Sequence, residues 1–300
     1  MGVRTSIAAR GKLLSPGRRR SGAAARFWGA GRAVRANPTL FAGVIIVCLT
    51  IAVAVLAPIL APFDPIDQDL THALAGPSGS HWLGTDSLGR DVFSRIVWAS
   101  RIDLAVAFAS VVAPFVVGTA VGLVVGYVGG RLDAIVARMA DVVVAFPVYV
   151  LIIALVFALG PGVASIFIAI AIVSWVPYMR IVRGETRILR SRAFVEAARV
   201  GEFSHIRILL RHIAPNVISQ PIVYASSDVI RDILAIATLG YLGLGVPPPA
   251  PEWGAMIADG QEYFSTDWML AVGPGVAVVV TGFGLALVGD GLARAWRIDR

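Results

Sequence analysis

Long apolar runs recur along the chain and alternate with polar segments. Six of them are long enough for a helix that crosses the hydrocarbon core of a bilayer, and they cover residues 39–60, 103–128, 134–159, 162–180, 217–243 and 268–289. Inside a bilayer the backbone polar groups must be paired within the segment, so such runs form helices. The pattern predicts an all-α, polytopic membrane protein with six transmembrane helices.

The composition agrees with a chain that folds in a membrane. Of the 300 residues, 57% are hydrophobic and only 15% are charged, and the mean hydropathy is +0.78. This balance excludes an ordinary water-soluble domain. Lys and Arg outnumber Asp and Glu by 26 to 19, but they lie mostly between the apolar runs, where they act as orientation signals. We therefore expect membrane lipid around the chain and no nucleic-acid partner.

The first 38 residues are basic and contain few apolar side chains. They cannot bury enough surface to fold, so we predict a flexible cytoplasmic tail. A basic stretch before an apolar run also resembles a signal peptide. The run 39–60 is long enough to span, however, and Pro62 is badly placed for cleavage after Ala61. We expect a retained first helix.

The basic residues between the runs predict the orientation. They are concentrated in alternate segments: nine before the first run, one in 129–133, eight in 180–211 and three after residue 290. On the other side, 160–163 and 244–267 have none, and the three in 61–102 are balanced by five Asp residues. The positive-inside rule then places both termini and the loop 180–216 in the cytoplasm. The chain divides into a tail 1–38, a first helix 39–60, an extracytoplasmic loop 61–102, a core transmembrane domain 103–292 with a cytoplasmic loop at 185–216, and a cytoplasmic C-terminus 293–300.

Three glycines in the second run, Gly118, Gly122 and Gly126, are spaced four residues apart. Such a stripe allows another helix to approach one face closely. Helix packing is the plain interpretation, and sliding of helices in a gated pathway is the alternative.

The cytoplasmic loop divides into two short helices. Gly201 ends the first, since a glycine there can adopt the left-handed conformation, and Ser204 is a good N-cap for the second. The second helix is predicted to place Ile206, Leu209, Leu210 and Ile213 on one face and to end at Pro215. Such a helix lies on the membrane surface or docks onto a partner.

Charged residues also occur inside two runs. Arg138 and Asp141 lie in the third run, and Asp228, Arg231 and Asp232 lie in the fifth. A charge at a helix centre costs about 2.5–3.5 kcal/mol on insertion scales. Because Arg138 and Asp141, like Asp228 and Arg231, are three residues apart, each pair could neutralise itself on one helical face. The alternative hypothesis is that these residues line a translocation pathway.

The chain contains no recognisable catalytic constellation. Cys48 is the only cysteine, the four histidines (His72, His81, His205, His212) are not at metal-ligand spacing, and the usual hydrolase motifs are missing. Lys12 is the only lysine and precedes Leu13, so there is no phosphate-binding P-loop. We expect neither an enzyme nor a metal site, and any ATP that powers transport must bind another chain.

Several motifs resemble one family of transporters. Glu196, Ala197 and Ala198, followed by a glycine and later by Ile213-Ala214-Pro215, are similar to the EAA loop of binding-protein-dependent ABC importer permeases. Other motifs resemble the C-type subunit of the dipeptide/oligopeptide/nickel branch, and they are HWLGTDSLGRDVFSRI (81–96), GYVGGRLDAIVARMADVVVAFP (126–147), ALGPGV (158–163), YLGLGVPPPAPEWGAMI (241–257) and VGDGLA (288–293). The resemblance covers nearly everything from about residue 80 onward.

The resemblance implies a six-helix type I importer permease whose EAA loop forms a coupling helix on the ATPase. The residues it assigns to coupling are Phe194, Glu196, Ala197, Ala198, Gly201, Glu202, Phe203, Ser204 and His205. It implies four kinds of partner: a second, related permease chain, two ATPase subunits that bind ATP and Mg²⁺, an extracytoplasmic solute-binding protein, and lipid. The binding protein would dock on 61–102 and 244–267, and this chain itself would bind no cofactor.

The chain departs from the family pattern at three positions. Aligned without gaps, the EAA glycine position falls on Glu202, and the usual Leu before Pro215 is Ala214. An acidic residue often precedes the string similar to YLGLG, and here Ile236 takes that place.

The resemblance favours peptides as the transported solute, with nickel chelates or another small solute as the alternative. Two other classes of protein are alternatives to an importer permease. A stand-alone secondary transporter would also have apolar spans and buried charges, but it has no need of an EAA loop. A membrane-embedded enzyme would need a catalytic constellation that the sequence does not contain.

Overall fold

The computed structural model describes residues 37–298, with side chains through residue 294. This part of the chain is mostly helical and contains no β-strand, only an isolated bridge between Thr85 and Asp91. The predicted all-α class is confirmed. Of the predicted basic tail, residues 1–36 lie outside the described residues, as do residues 299 and 300 of the predicted C-terminus.

Nine helices of at least eight residues organise the described chain. They are α1 Pro38–Val55, α2 Val92–Val128, α3 Gly130–Val144, α4 Val148–Leu159, α5 Val163–Leu189, α6 Ala193–Val200, α7 Ser219–Tyr241, α8 Trp253–Gln261 and α9 Met269–Ile298. Shorter turns lie at Ala57–Leu60, at Leu70–His72 and between α6 and α7.

Four helices, α1, α2, α5 and α9, are each long and apolar enough to cross a membrane. They correspond to four of the predicted runs, but α2, α5 and α9 extend beyond their runs. With 37 residues, α2 is about 55 Å long at ~1.5 Å per residue. It begins at Val92 because Asp91 caps it: Asp91 Oδ2 accepts a hydrogen bond from the Ser94 backbone N–H at 2.7 Å.

The run 134–159 is not one straight helix, as the apolar pattern predicted. It divides into α3 and α4, which meet at an angle of 84°. The break falls at Pro147, the N-cap of α4, because the residue before a proline is pushed away from helical geometry. The pair is therefore a broken span or a re-entrant loop.

Helix α7 corresponds to the predicted run 217–243 and has 23 residues, enough to cross a hydrocarbon core. Its three charged residues distinguish it from the four strongly apolar helices. By length and hydropathy alone, the described residues contain four spans, or five when the bent pair is one span. The sixth predicted span is this charged helix.

The glycine stripe packs α2 against α5, and the predicted packing role is confirmed. A Cβ added to Gly118 would lie 2.4 Å from the carbonyl oxygen of Trp175, and one added to Gly122 would lie 2.7 Å from that of Met179. Only glycine allows the two backbones to come this close. Helix α1 packs on α9, where Gly43 meets the backbone of Val288.

The segments 61–91 and 242–268 fold onto the start of α2. Arg90 is buried and its Nε donates to Asp86 Oδ2 at 2.7 Å, while Arg95 Nη1 donates to the carbonyl of Pro65 at 3.0 Å. Trp253, the first residue of α8, is buried and donates its ring N–H to the carbonyl of Ile96 at 3.1 Å. These contacts make the two segments an ordered layer at the end of the bundle far from α6.

Candidate functional site

The EAA segment, residues 193–206, is held on the bundle through one side of α6. Val195 and Ala198 are buried, and they belong to an apolar cluster with Leu123 of α2 and Val182 of α5. The cluster also includes Ile208, Ile213 and Val217 from the following turns. Helix α6 therefore packs against both long helices.

The other side of α6 is exposed and combines acidic and apolar side chains. Of the residues that the resemblance assigns to coupling, all except Ala198 are exposed, namely Phe194, Glu196, Ala197, Gly201, Glu202, Phe203, Ser204 and His205. Val200 and Ile206 extend the exposed apolar area. Adjacent exposed apolar side chains indicate an interaction surface.

Gly201 ends α6, as the sequence predicted, but the left-handed residue of this segment is Glu202 and not Gly201. Gly201 caps α6 with φ −74°, an ordinary right-handed value, whereas Glu202 has φ +56°. Glu202 is the position where the family pattern has its glycine. An L residue therefore stands in the left-handed conformation that suits glycine, and it is strained there.

The predicted N-cap Ser204 is confirmed, because its hydroxyl accepts a hydrogen bond from the Arg207 N–H at 3.3 Å. The predicted end at Pro215 is wrong. The helix continues as a π-helix over Ile208–Ile213 and then as Ala214–Val217. Because Pro215 lacks an N–H and its ring crowds the carbonyl four residues earlier, the wider π-turn before it relieves the clash.

The π-turn also changes which apolar residues are buried. Ile208 and Ile213 are buried, whereas Ile206 and Leu210 of the predicted apolar face are exposed. A π-turn contains more residues than an α-turn, so the side chains that follow rotate relative to an ideal α-helix. The predicted face is therefore correct only for Ile213 and, in part, for Leu209, which is partly buried.

Two aromatic contacts join the EAA segment to the end of α2. The Tyr127 hydroxyl lies 2.8 Å from His205 Nδ1, and the Arg199 guanidinium lies over the Tyr127 ring at 5.6 Å from its centroid. Arg190 Nη1 also contacts the carbonyls of Gly126 and Tyr127. Sequence reasoning missed Tyr127, since nothing in its local pattern distinguishes it from an interfacial tyrosine.

The three charges of α7 differ in exposure. Asp228 and Asp232 are buried, while the Arg231 side chain is 49% exposed. Arg231 Nη2 donates to Asp228 Oδ1 at 2.5 Å, and the guanidinium lies 4.8 Å from the centroid of the Tyr224 ring. The predicted pairing of Asp228 with Arg231 is confirmed.

Arg231 lies in an exposed stripe along α7. The other exposed members at helical spacing are Ser227, Leu234, Thr238 and Tyr241. A face that carries an arginine and hydroxyl groups near the middle of a span is unsuited to lipid, because a charge there is costly in hydrocarbon. It suits an aqueous pathway or another protein chain.

The predicted pairing of Arg138 with Asp141 is wrong. Asp141 instead pairs with Arg180 of α5 at 2.9 Å. About two helical turns earlier in α3, the buried Asp133 binds both Arg183 and Arg187 of α5, with Arg183 Nη2 at 2.8 Å from Asp133 Oδ2. Sequence reasoning missed Asp133 because its partners are about fifty residues away in the chain.

Two further buried acids, Asp103 and Glu252, lie where α2 meets α8. Burial raises the pKa of the Glu252 carboxyl to about 7. Both were overlooked because each lies among apolar or small residues without a local partner. Within residues 37–298, no cluster of three or more His, Cys, Asp or Glu side chains is arranged to hold a metal ion.

Most of the chain matches known protein families. Residues 118–297 match the family described as binding-protein-dependent transport system inner membrane component. Residues 26–77 match the N-terminal transmembrane domain of oligopeptide transport permease C.

Curated relatives are similar along almost their whole length. The dipeptide transport system permease protein DppC of Alkalihalophilus pseudofirmus is 37% identical over 87% of this chain and 86% of its own. The glutathione transport system permease protein GsiD of Pectobacterium atrosepticum is 40% identical over 90% and 89%. The probable D,D-dipeptide transport system permease protein DdpC of Escherichia coli is 38% identical over 86% and 87%.

A solved structure has a similar fold. A chain of the methionine ABC transporter MetNI, in an inward-facing conformation, superposes with a TM-score of 0.53 at 20% identity. The match covers 68% of this chain and 95% of that one. The all-helical architecture, the family match and the relatives agree: the chain belongs to the binding-protein-dependent transport system inner membrane components and is a multi-pass inner-membrane permease of an ABC importer.

Proposed function

We propose that this permease moves di- or oligopeptides across the cytoplasmic membrane. The observation that carries the proposal is that relatives 37–40% identical are named for dipeptide, D,D-dipeptide and glutathione transport. All three solutes are short peptides or peptide-like molecules. The chain supplies the path, and the chemistry of ATP hydrolysis belongs to other subunits.

The complete importer contains this chain, a second related permease, two ATPase subunits and an extracytoplasmic solute-binding protein. The ATPases bind ATP and Mg²⁺, since Lys12 is the only lysine and no P-loop is present. The termini and the loop that holds α6 lie in the cytoplasm, in agreement with their excess of basic residues. The ordered layer of 61–91 and 242–268 is then on the outer side, where the binding protein docks.

Coupling runs through the EAA segment. Its exposed side, with Phe194, Glu196 and Phe203, contacts an ATPase subunit, while its buried side rests on α2 and α5. ATP-driven closure of the ATPases pushes on α6, and the contact between Tyr127 and His205 passes the displacement to α2. The permease thereby alternates between inward- and outward-facing states.

The exposed stripe of α7 lines the translocation pathway at the interface with the second permease. Arg231 is the charged group of this stripe, and the buried Asp228 and Asp232 lie behind it. Arg138 and Asp141, the other pathway candidates, lie on α3, whose Asp141 pairs with α5. These two are weaker candidates, because that ion pair already satisfies Asp141.

The experiment that tests the proposal is copurification from native membranes with a tag on this chain, with Glu196→Arg as the variant. We expect wild type to recover two ATPases and a second permease, and to take up a labelled dipeptide at the expense of ATP. The variant reverses a charge on the exposed side of α6, so ATPase recovery or coupled uptake should fall at least tenfold.

Glu262→Arg is the matched control, because the same reversal falls on an exposed residue of the segment 242–268. Its ATPase recovery should equal that of wild type. Recovery of this chain alone, with intact uptake that is independent of ATP, would identify a secondary transporter instead. Recovery of the ATPases without transport of any peptide would retain the importer and exclude the substrate class.

A further inference from the structure

Two buried acidic side chains meet at the end of the bundle opposite the EAA segment. Asp103 of α2 is 2% exposed and Glu252, the residue before α8, is 0% exposed. Their carboxyl groups lie within hydrogen-bonding reach of each other. Neither residue belongs to the coupling surface or to the exposed stripe of α7.

The two carboxyls accept hydrogen bonds from the first three backbone N–H groups of α8. Asp103 Oδ2 accepts from Trp253 at 3.0 Å, Glu252 Oε1 from Gly254 at 2.7 Å, and Glu252 Oε2 from Ala255 at 2.8 Å. These groups have no partners within the helix, so the acids cap it. Asp103 Oδ1 is buried and has no hydrogen-bond partner among the described residues.

No cationic side chain in the described residues pairs with either acid. The surrounding elements contribute small or apolar groups: Gly240 of α7, Gly245 of the connecting loop and the indole of Trp253. The fit is tight, since a Cβ on Gly240 would lie 1.7 Å from Glu252 Oε2. The titratable groups that face each other here are therefore Asp103 and Glu252 themselves; Asp259 of α8 interacts with Arg90 and Arg95 instead.

We propose that Asp103 and Glu252 form a proton-binding site, in which one proton shared between the two carboxyls ties α2 to the start of α8. Two ionised carboxylates in contact inside a protein repel each other and are poorly solvated. One proton converts the contact into a charge-assisted hydrogen bond. It also provides the partner that Asp103 Oδ1 lacks.

The site makes stability depend on pH in a defined direction. Burial raises the pKa of Glu252 from 4.5 to about 7. Between these values the folded chain holds a proton that the unfolded chain has released, so stability falls as pH rises. The contribution is complete below the unfolded pKa and is lost as pH rises through the raised pKa of the folded pair. The proton-binding site is independent of which solute the importer carries.

Asp103→Asn tests the shared proton most directly. The amide can keep an oxygen as the acceptor for Trp253 and place an N–H at the position of Oδ1, where it donates to Glu252 without a proton. In the purified full-length chain in nanodiscs, with the subunits that copurify, we expect the thermal midpoint of wild type to fall by several degrees from about pH 5 to about pH 8. Asp103→Asn should lose most of this dependence and exceed wild type at the upper pH.

Two further measurements distinguish a proton shared by the two carboxyls from a contact that is only structural. Infrared difference spectra should contain a protonated-carboxyl band at neutral pH in wild type that weakens in Asp103→Asn. Glu262→Gln, an exposed acid in the same segment, should keep the wild-type midpoint at each pH. Equal pH profiles in wild type and Asp103→Asn, or a wild-type midpoint that responds to Na⁺ or K⁺ at constant pH, would overturn the proposal.

Discussion

At the scale of single residues, Glu202 holds the strained position of the EAA segment. Its φ of +56° lies in the left-handed region, which costs an L residue about 1–2 kcal/mol. The backbone at Glu202 thus has a conformation that suits glycine. The preceding Gly201, at φ −74°, has a conformation that any residue can adopt. The side chain of Glu202 is exposed, so nothing in its packing compensates for the strain.

Glu202→Gly should therefore stabilise the segment by about 1 kcal/mol, because it removes the left-handed penalty. Protease protection of the loop 185–216 and the thermal midpoint of the purified chain measure this. Gly201→Ala is the matched control: Gly201 has an ordinary φ, so the exchange relieves no left-handed strain and should not stabilise the segment. A variant Glu202→Gly that is no more stable than wild type would contradict the strain.

At the scale of elements, the contact between α2 and α5 organises the bundle. The three glycines of the stripe bring backbone against backbone, and Asp133 of α3 adds ion pairs to the same helix α5. Because α6 rests on both α2 and α5, the packing of this pair determines where the EAA segment lies.

Gly118→Ala should destabilise the permease by about 1–3 kcal/mol, because the added methyl group would meet a backbone oxygen that cannot move aside. Gly184→Ala on α5 is the control, since a Cβ there meets nothing within 4 Å. The control should be neutral or slightly stabilising, as alanine favours helix over glycine. Thermal unfolding in detergent distinguishes the two, and equal midpoints would show that the close approach has no energetic consequence.

At the scale of the whole molecule, α2 joins the two ends of the permease. Its last turn contacts the EAA segment through Tyr127, and its first turns contact α8 through Ile96 and Asp103. One continuous helix of 37 residues therefore connects the EAA segment to the opposite layer. The exposed stripe of α7 lies between these two ends.

Arg231→Gln should reduce the peptide transported per ATP hydrolysed by about tenfold, because it removes the charge that the proposed pathway presents. Assembly with the ATPases should remain, since the guanidinium is half exposed and distant from α6. Uptake and ATPase rate in proteoliposomes measure the ratio. Arg101→Gln, an exposed arginine that lies over the Trp98 ring on α2, should leave it unchanged. A normal ratio in Arg231→Gln would remove α7 from the pathway.

The sequence by itself determined the helical class, the apolar runs, the N-cap at Ser204 and the packing role of the glycine stripe. These features are local: hydrophobic length, capping chemistry and small-residue spacing act within one or two turns. The family resemblance identified the EAA segment because its residues are contiguous. The pairing of Asp228 with Arg231 could also be predicted from the sequence, since the two residues are separated by less than one helical turn.

Only the tertiary structure decided which partners distant residues take. Asp141 pairs with Arg180 and Asp133 with Arg183 because α3 and α5 pack together, and no local spacing specifies that contact. The carboxyl pair of Asp103 and Glu252 joins residues about 150 positions apart, so its chemistry exists only once α2 and α8 are in contact.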